Sequence, residues 1–159
     1  ERRASCESAA KKLGIRALRD CSITQLENSR DKLTELEYMR ADHVVNDIKR
    51  VHECVDRLKN HDFIAVGNIL TKSHASLRDL FEISCPELNF AVDTALKNKS
   101  LGGRMIGGGF GGSAIAIFKV ADIPAAKIAI AKAFSSAGFT EPRFFTSLPS
   151  SGAQITQAL

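Results

Sequence analysis

The sequence predicts an α+β domain. Three observations carry that expectation: helical periodicity through about the first hundred residues, a change of apolar period from about four to two near residue 100, and a dense run of glycines at the changeover. At 159 residues the chain is most simply one domain, large enough to bury roughly 70% of the surface that its unfolded form exposes. It is read here as a helical part over about 1–98 and a glycine-loop α/β part over about 99–159.

The elements follow in order. A first helix is expected over about 3–13, with Gly14 where a left-handed cap ends a helix. Ser22 and Gln25 stand at capping-box spacing and open a second helix over about 23–35. From 41 to 58, Val44, Val45, Ile48, Val51, Val55 and Leu58 recur at helical spacing and form one stripe. Asp62 caps a fourth helix, about 63–81. Ser84 and Glu87 repeat the capping-box spacing around Pro86, which suits a first turn and opens a helix over about 86–97.

Beyond these helices the pattern reads as strand 103–106, the glycines, and "SAIAIFKV" at 113–120 as a buried strand. Pro124 opens a helix to about 137, ended by Gly138. "RFFTSL" at 143–148 reads as a third strand, and "SSGAQITQAL" as a frayed fourth. Two strands hinged at glycines, a helix and a returning strand make most of a ferredoxin-like split βαβ sandwich with an antiparallel sheet and additional N-terminal helices.

Composition narrows the function classes. With 44% apolar and 25% charged residues, the chain reads as soluble and globular, and no apolar run approaches a membrane span. The net charge of +4 is spread among interleaved carboxylates, the pattern of a solvated surface rather than of a nucleic-acid site. Cys6, Cys21, Cys54 and Cys85 form no C-x-x-C pair and read as reduced thiols of a cytoplasmic protein. His43 and His52 share no ligand geometry with them, so no metal site is expected. The chain begins without Met and is in helical pattern at once, which suggests a cut inside a longer protein.

"GGRMIGGGFGGSAIAIF" at 102–118 holds seven of the eleven glycines. A Walker loop needs a lysine and a following helix, and a dinucleotide fingerprint also opens a helix. This run has no lysine and opens a strand. Gly107, Gly108, Gly109, Gly111 and Gly112, with Phe110 among them, exceed the needs of a hairpin turn. Two readings stay open: a close backbone approach to a ligand or partner loop, which is favoured, and a structural bend.

The same run resembles the third signature of the GHMP kinases, in its galactokinase form G-x-R-M-T-G-G-G-F-G-G-C. "RRASCESAAKKLGIRALRD", "RADHVVNDIKRV", "SHASLRDLFEISCPELN" and the tail "PSSGAQI" are similar, in the same order, to further galactokinase segments. The resemblance covers nearly the whole chain.

It implies the C-terminal domain of an enzyme that phosphorylates the 1-hydroxyl of galactose with Mg-ATP, in a cleft shared with an N-terminal kinase domain. The catalytic aspartate, the magnesium ligands and the phosphate-cradling segment would belong to that absent domain. This fragment would then be inactive alone and would contribute Gly107 to Gly112 as a cleft wall. No catalytic residue and no metal ligand is assigned to this chain by the resemblance.

Arg104, Ile106 and His74 are possible cleft supports. Arg104 reads either as a structural ion pair or as charge stabilisation beside phosphate, the first favoured. His74 reads as a neutral, hydrogen-bonded helix histidine before a general acid or base. Ser73, Ser76, Arg78, Asp79 and Glu82 read as a capping and ion-pair network between helices. Ile106 replaces the threonine usual in galactokinases, Ser113 a cysteine and Asn89 an aspartate. The Ile106 change motivates a second reading, a sugar and ATP sensor that regulates a partner. A third is a non-catalytic binding module.

Overall fold

The structure is a computed structural model, and it describes residues 1–148 and 151–152. The helices are α1 (Arg2–Lys12), α2 (Ile23–Asn28), α3 (Glu35–Lys59), α4 (Phe63–Asp79), α5 (Pro86–Lys97) and α6 (Ile123–Ser136), with a hairpin of β1 (Gly102–Ile106) and β2 (Ser113–Ile117) between the last two. The α+β class is as expected.

Caps fix most of the helix ends. Ser22 Oγ accepts from the Gln25 amide, Asp62 accepts from the Ala65 amide, and Gly14 and Gly138 take the left-handed conformation after α1 and α6. The expected second helix, 23–35, stops at Asn28, and α3 begins at Glu35 rather than near 41. The reason is a second capping box. Thr34 Oγ1 accepts from the Glu37 amide, and the Glu37 carboxylate accepts from the Thr34 amide at 2.8 Å, so a new helix starts where the old one was expected to end. Ser84 does not cap α5. Cys85 holds that position, and the Ser84 hydroxyl donates to Asn89 Oδ1 at 2.7 Å.

The core gathers under α1 and α3, where Ala9, Ala10, Leu18, Leu26, Leu33, Ala41 and Val45 pack together. The α3 stripe divides: Val45 is buried, whereas Val51, Val55 and Leu58 near the C-terminal end are exposed. A second cluster of Leu77, Leu88 and Met105 joins α4, α5 and β1. A third unites Ala95, Ile130 and Phe134 with Phe90, Phe118, Phe139 and Phe144, whose rings meet edge-on or tilted at 5.2–5.7 Å for the 90, 134 and 139 set.

Among the described residues the sheet has two antiparallel strands, Gly102 opposite Ile117 through Ile106 opposite Ser113. The expected third strand is absent. Residues 143–148 run as irregular chain along α6, with Phe144 in the third cluster and Lys127 Nζ donating to Thr146 Oγ1 at 3.1 Å. Hydrophobic packing on the helix has drawn this segment away from backbone pairing. The expected fourth strand falls almost wholly outside the described residues. β2 also departs from expectation, since Ser113, Ala114, Ile115 and Ala116 are exposed rather than buried.

Candidate functional site

The candidate site is the glycine loop and what holds it. β1 is pressed against α4 at a point where neither backbone carries a side chain: Gly67 meets Gly102, and a Cβ on either residue would strike the other segment's backbone. β1 therefore lies directly on the helix, and its end at Ile106 delivers the loop at a fixed place.

The loop is anchored at its middle and open on both sides of the anchor. Phe110 N–H donates to Ile83 O at 2.7 Å, and a Cβ on Gly109, whose φ is +85°, would come within 2.7 Å of Ile83 Cβ. Phe110 itself is held at φ +59°, an uncommon conformation for a bulky residue. Gly107, Gly108, Gly111 and Gly112 face open space, with nothing within 4 Å of where a Cβ would stand. Ile106 to Ser113 line an open concavity of about 420 Å³.

The α4–α5 connection that carries Ile83 is clamped by two arginines. Arg40, 1% exposed in α3, donates to Leu80 O and to the Glu82 carboxylate. Arg2 in α1 donates to Phe81 O at 3.2 Å and Glu82 O at 2.7 Å, and its guanidinium lies 5.2 Å from the centre of the Phe110 ring. The Arg40 guanidinium beside Glu82 holds that carboxyl below its ordinary range. Sequence reading passed over Arg2 and Arg40 as site supports. For Arg40 the signal available was an arginine among apolar neighbours on the buried face of a helix, which demands a specific acceptor.

Behind the hairpin lies a polar cluster between α3, α4 and β1. Asp47 accepts from Ser73 Oγ at 2.6 Å and Arg50 Nε at 2.9 Å, and Arg104 Nη1 stands 3.6 Å from its other oxygen. Burial works to raise the Asp47 pKa, but these hydrogen bonds and the Arg104 charge outweigh it and leave the carboxyl below its usual value. Arg104 thus turns back into the domain, and its Nε also donates to Met105 O at 3.1 Å. Nearby, His43 Nδ1 lies 2.8 Å from Ser76 Oγ with its ring stacked on Phe81, and burial pulls its pKa down to about 4. Arg78 pairs with its neighbour Asp79 at 2.7 Å.

His74, 2% exposed, sits against β1, and Met105 N–H donates to its Nδ1 at 3.2 Å. The structure thus brings Ile106 and the glycines together on one surface and sets Arg104 and His74 behind them.

Among the described residues no three His, Cys, Asp or Glu side chains gather into a group that could hold a metal ion. Five of the eight residues that line the concavity are glycines, and at four of these nothing stands where a Cβ would be. The four cysteines are free thiols, and no helix among the described residues is long and apolar enough to cross a membrane.

Comparisons with known proteins agree on one family. Residues 54–137, more than half of the chain, match the family described as GHMP kinases C terminal. The galactokinase of Streptomyces coelicolor is 46% identical over 156 residues, covering 97% of this chain and 40% of that protein. Human galactokinase is 40% identical over 124 residues, covering 77% of this chain and 32% of that protein. The crystal structure of Lactococcus lactis galactokinase complexed with galactose superposes with a TM-score of 0.83 at 30% identity, over 87% of this chain and 38% of that one. The chain spans about 40% of the length of the Streptomyces and Haemophilus influenzae galactokinases it matches. By its sequence, its helix order and its glycine loop, this chain belongs to the GHMP kinase C-terminal family.

Proposed function

We propose that residues 1–159 act as one domain, the C-terminal part of a cytoplasmic galactokinase that transfers the ATP γ-phosphate to the 1-hydroxyl of galactose. The observation that carries this reading is the division within the loop, where Gly109 and Phe110 are fastened to Ile83 while Gly107, Gly108, Gly111 and Gly112 stay open. A turn needed only for chain reversal has no use for four uncovered glycines beside a rigid anchor. A wall for a charged ligand does.

In this reading the loop presents backbone amides and no side chain to Mg-ATP, and it leaves room for a facing phosphate-binding segment. Phosphoryl transfer depends chiefly on positioning and on stabilising spread negative charge, and an open array of amides supports both. Magnesium and most contacts to ATP and galactose come from the N-terminal kinase domain of the intact polypeptide. The exposed face of β2 and the exposed Ile106 and Phe110 are the surfaces suited to meet it. Arg104 contributes by holding β1 to α3 through Asp47, not by touching phosphate.

Galactose-dependent ATP consumption by the intact polypeptide is the test, with this chain alone as the silent control. Gly108→Ala sharpens it. Gly108 lacks a positive φ and faces open space, so the substitution leaves stability unchanged and raises KM for ATP. Wild-type KM in that variant argues for a purely structural turn, and phosphorylation by this chain alone removes the division of labour. Ile106→Thr, assayed beside them, separates an active kinase from a sensor, which binds sugar and nucleotide without turnover.

A further inference from the structure

Among the described residues the inner edge of β1 has no neighbouring strand, yet its Gly103 and Met105 amides are satisfied. The described pairing of β1 is with β2, along its other edge. On the inner edge, Gly103 N–H donates to Thr71 Oγ1 at 3.4 Å and Met105 N–H donates to His74 Nδ1 at 3.2 Å. Gly103 and Met105 are two apart, the period of a strand edge, and Thr71 and His74 are three apart, the period of a helix face. Two α4 side chains therefore take the place of a third strand. Thr71 is itself fixed, its hydroxyl donating to Gly67 O at 3.1 Å.

We infer that His74 is a positioning residue for the glycine loop, its unprotonated Nδ1 accepting the Met105 amide and so setting the register of β1 on α4. The inference rests on the loop's role as a cleft wall. Met105 is followed by Ile106 and then by the loop, so a slip of β1 along α4 moves every open glycine amide.

The accepting geometry fixes the tautomer. A ring nitrogen that accepts a backbone N–H carries no proton, so in the neutral ring the proton sits on Nε2. Nε2 is buried without a hydrogen-bond partner among the described residues, so the Met105 amide makes the one direct hydrogen bond to the ring there. Burial and the nearby Arg78 and Arg104 charges oppose protonation, against Asp93 and the Asn89 amide of α5, and the pKa lies below the ordinary histidine value. A doubly protonated ring would turn Nδ1 into a donor and lose Met105.

The test uses the 159-residue chain and two variants that each mimic one ring nitrogen. Asparagine places an amide oxygen where Nδ1 stands, and glutamine reaches the Nε2 position. Nitrogen-detected spectra of the wild type should show His74 as the neutral Nε2–H tautomer from pH 8 down to pH 6. His74→Asn should keep Met105 amide exchange near the wild-type rate, whereas His74→Gln should accelerate it about tenfold and shift the amide resonances of Gly107 to Gly112. In the intact polypeptide, His74→Gln should raise KM for ATP more than it lowers kcat, and His74→Asn should restore it.

An Nδ1–H tautomer in the wild type overturns the inference. So does equal loss in both variants, which is the signature of packing alone. If the spectra behave as expected and the intact polypeptide phosphorylates no sugar, the anchoring of β1 stands and the kinase reading falls.

Discussion

β1 and β2 are paired strands of equal length that the domain treats oppositely. Gly102, Gly103 and Met105 are buried against α4 and α5, while four of the five β2 residues are exposed. Their sequences do not explain the difference. "SAIAI" is the more apolar of the two, and "GGRMI" carries an arginine. What separates them is access: two glycines let β1 approach α4 backbone to backbone, whereas no described helix covers the outer face of β2. Burial here is decided by the partner a strand can reach, and only secondarily by its own hydropathy.

The most severe challenge to that contrast is Gly102→Val. Its side chain meets the Gly67 backbone, which cannot rotate away, and a loss of about 3 kcal/mol or more is expected in urea unfolding. Glu37→Ala comes next. It removes the α3 capping box and the acceptor for Lys12 Nζ at 2.6 Å and Ser8 Oγ at 2.6 Å, for a loss of about 2 kcal/mol. Gly109→Ala, at φ +85° and against Ile83, should cost about 1–2 kcal/mol and expose the loop to proteolysis. At the other extreme, Ile115→Thr on β2 should change stability by less than about 1 kcal/mol. A large loss there would show that β2 is supported in a way its exposure hides.

Acid should weaken the helical part in two consecutive windows. Burial holds the His43 pKa near 4, below its ordinary 6.5, so the unfolded chain binds the proton first and stability declines as pH falls from about 6.5 to 4. Hydrogen bonds from Lys12, Ser8 and Thr34 hold the Glu37 carboxyl at about 2, against an ordinary 4.5. Its contribution is complete above about pH 4.5 and is lost toward pH 2. His43→Asn should shrink the upper window, to which His74 also contributes, and leave the lower one, a difference readable in urea midpoints across pH.

Much of the helical framework was legible because caps and periodicity are local. Gly14, Ser22, Asp62, Pro86 and Gly138 mark ends that the structure keeps. The split between α2 and α3 was also written in the sequence, as Thr34 and Glu37, but an apolar stripe beginning at Val44 outweighed it. That 143–148 is irregular chain and not the expected strand could not be read, because its alternation serves equally well to place Phe144 among the aromatic rings on α6.

Of the site, the glycines announced themselves by number. Their supports did not, since Arg2, Arg40 and Thr71 are distant in sequence from the backbone groups they hold. Gly67 left a fainter trace: glycine in mid-helix costs stability unless another backbone must come close.

The bare contact between Gly67 and Gly102 also bears on motion. Side chains between packed elements act as a compliant layer, able to change rotamer and let one element slide on the other. Here that layer is missing, and a small displacement of α4 passes to β1 undiminished. A hinge at Gly102, the root of the hairpin, is thereby opposed, and a shift of α4 carries that end of the hairpin with it.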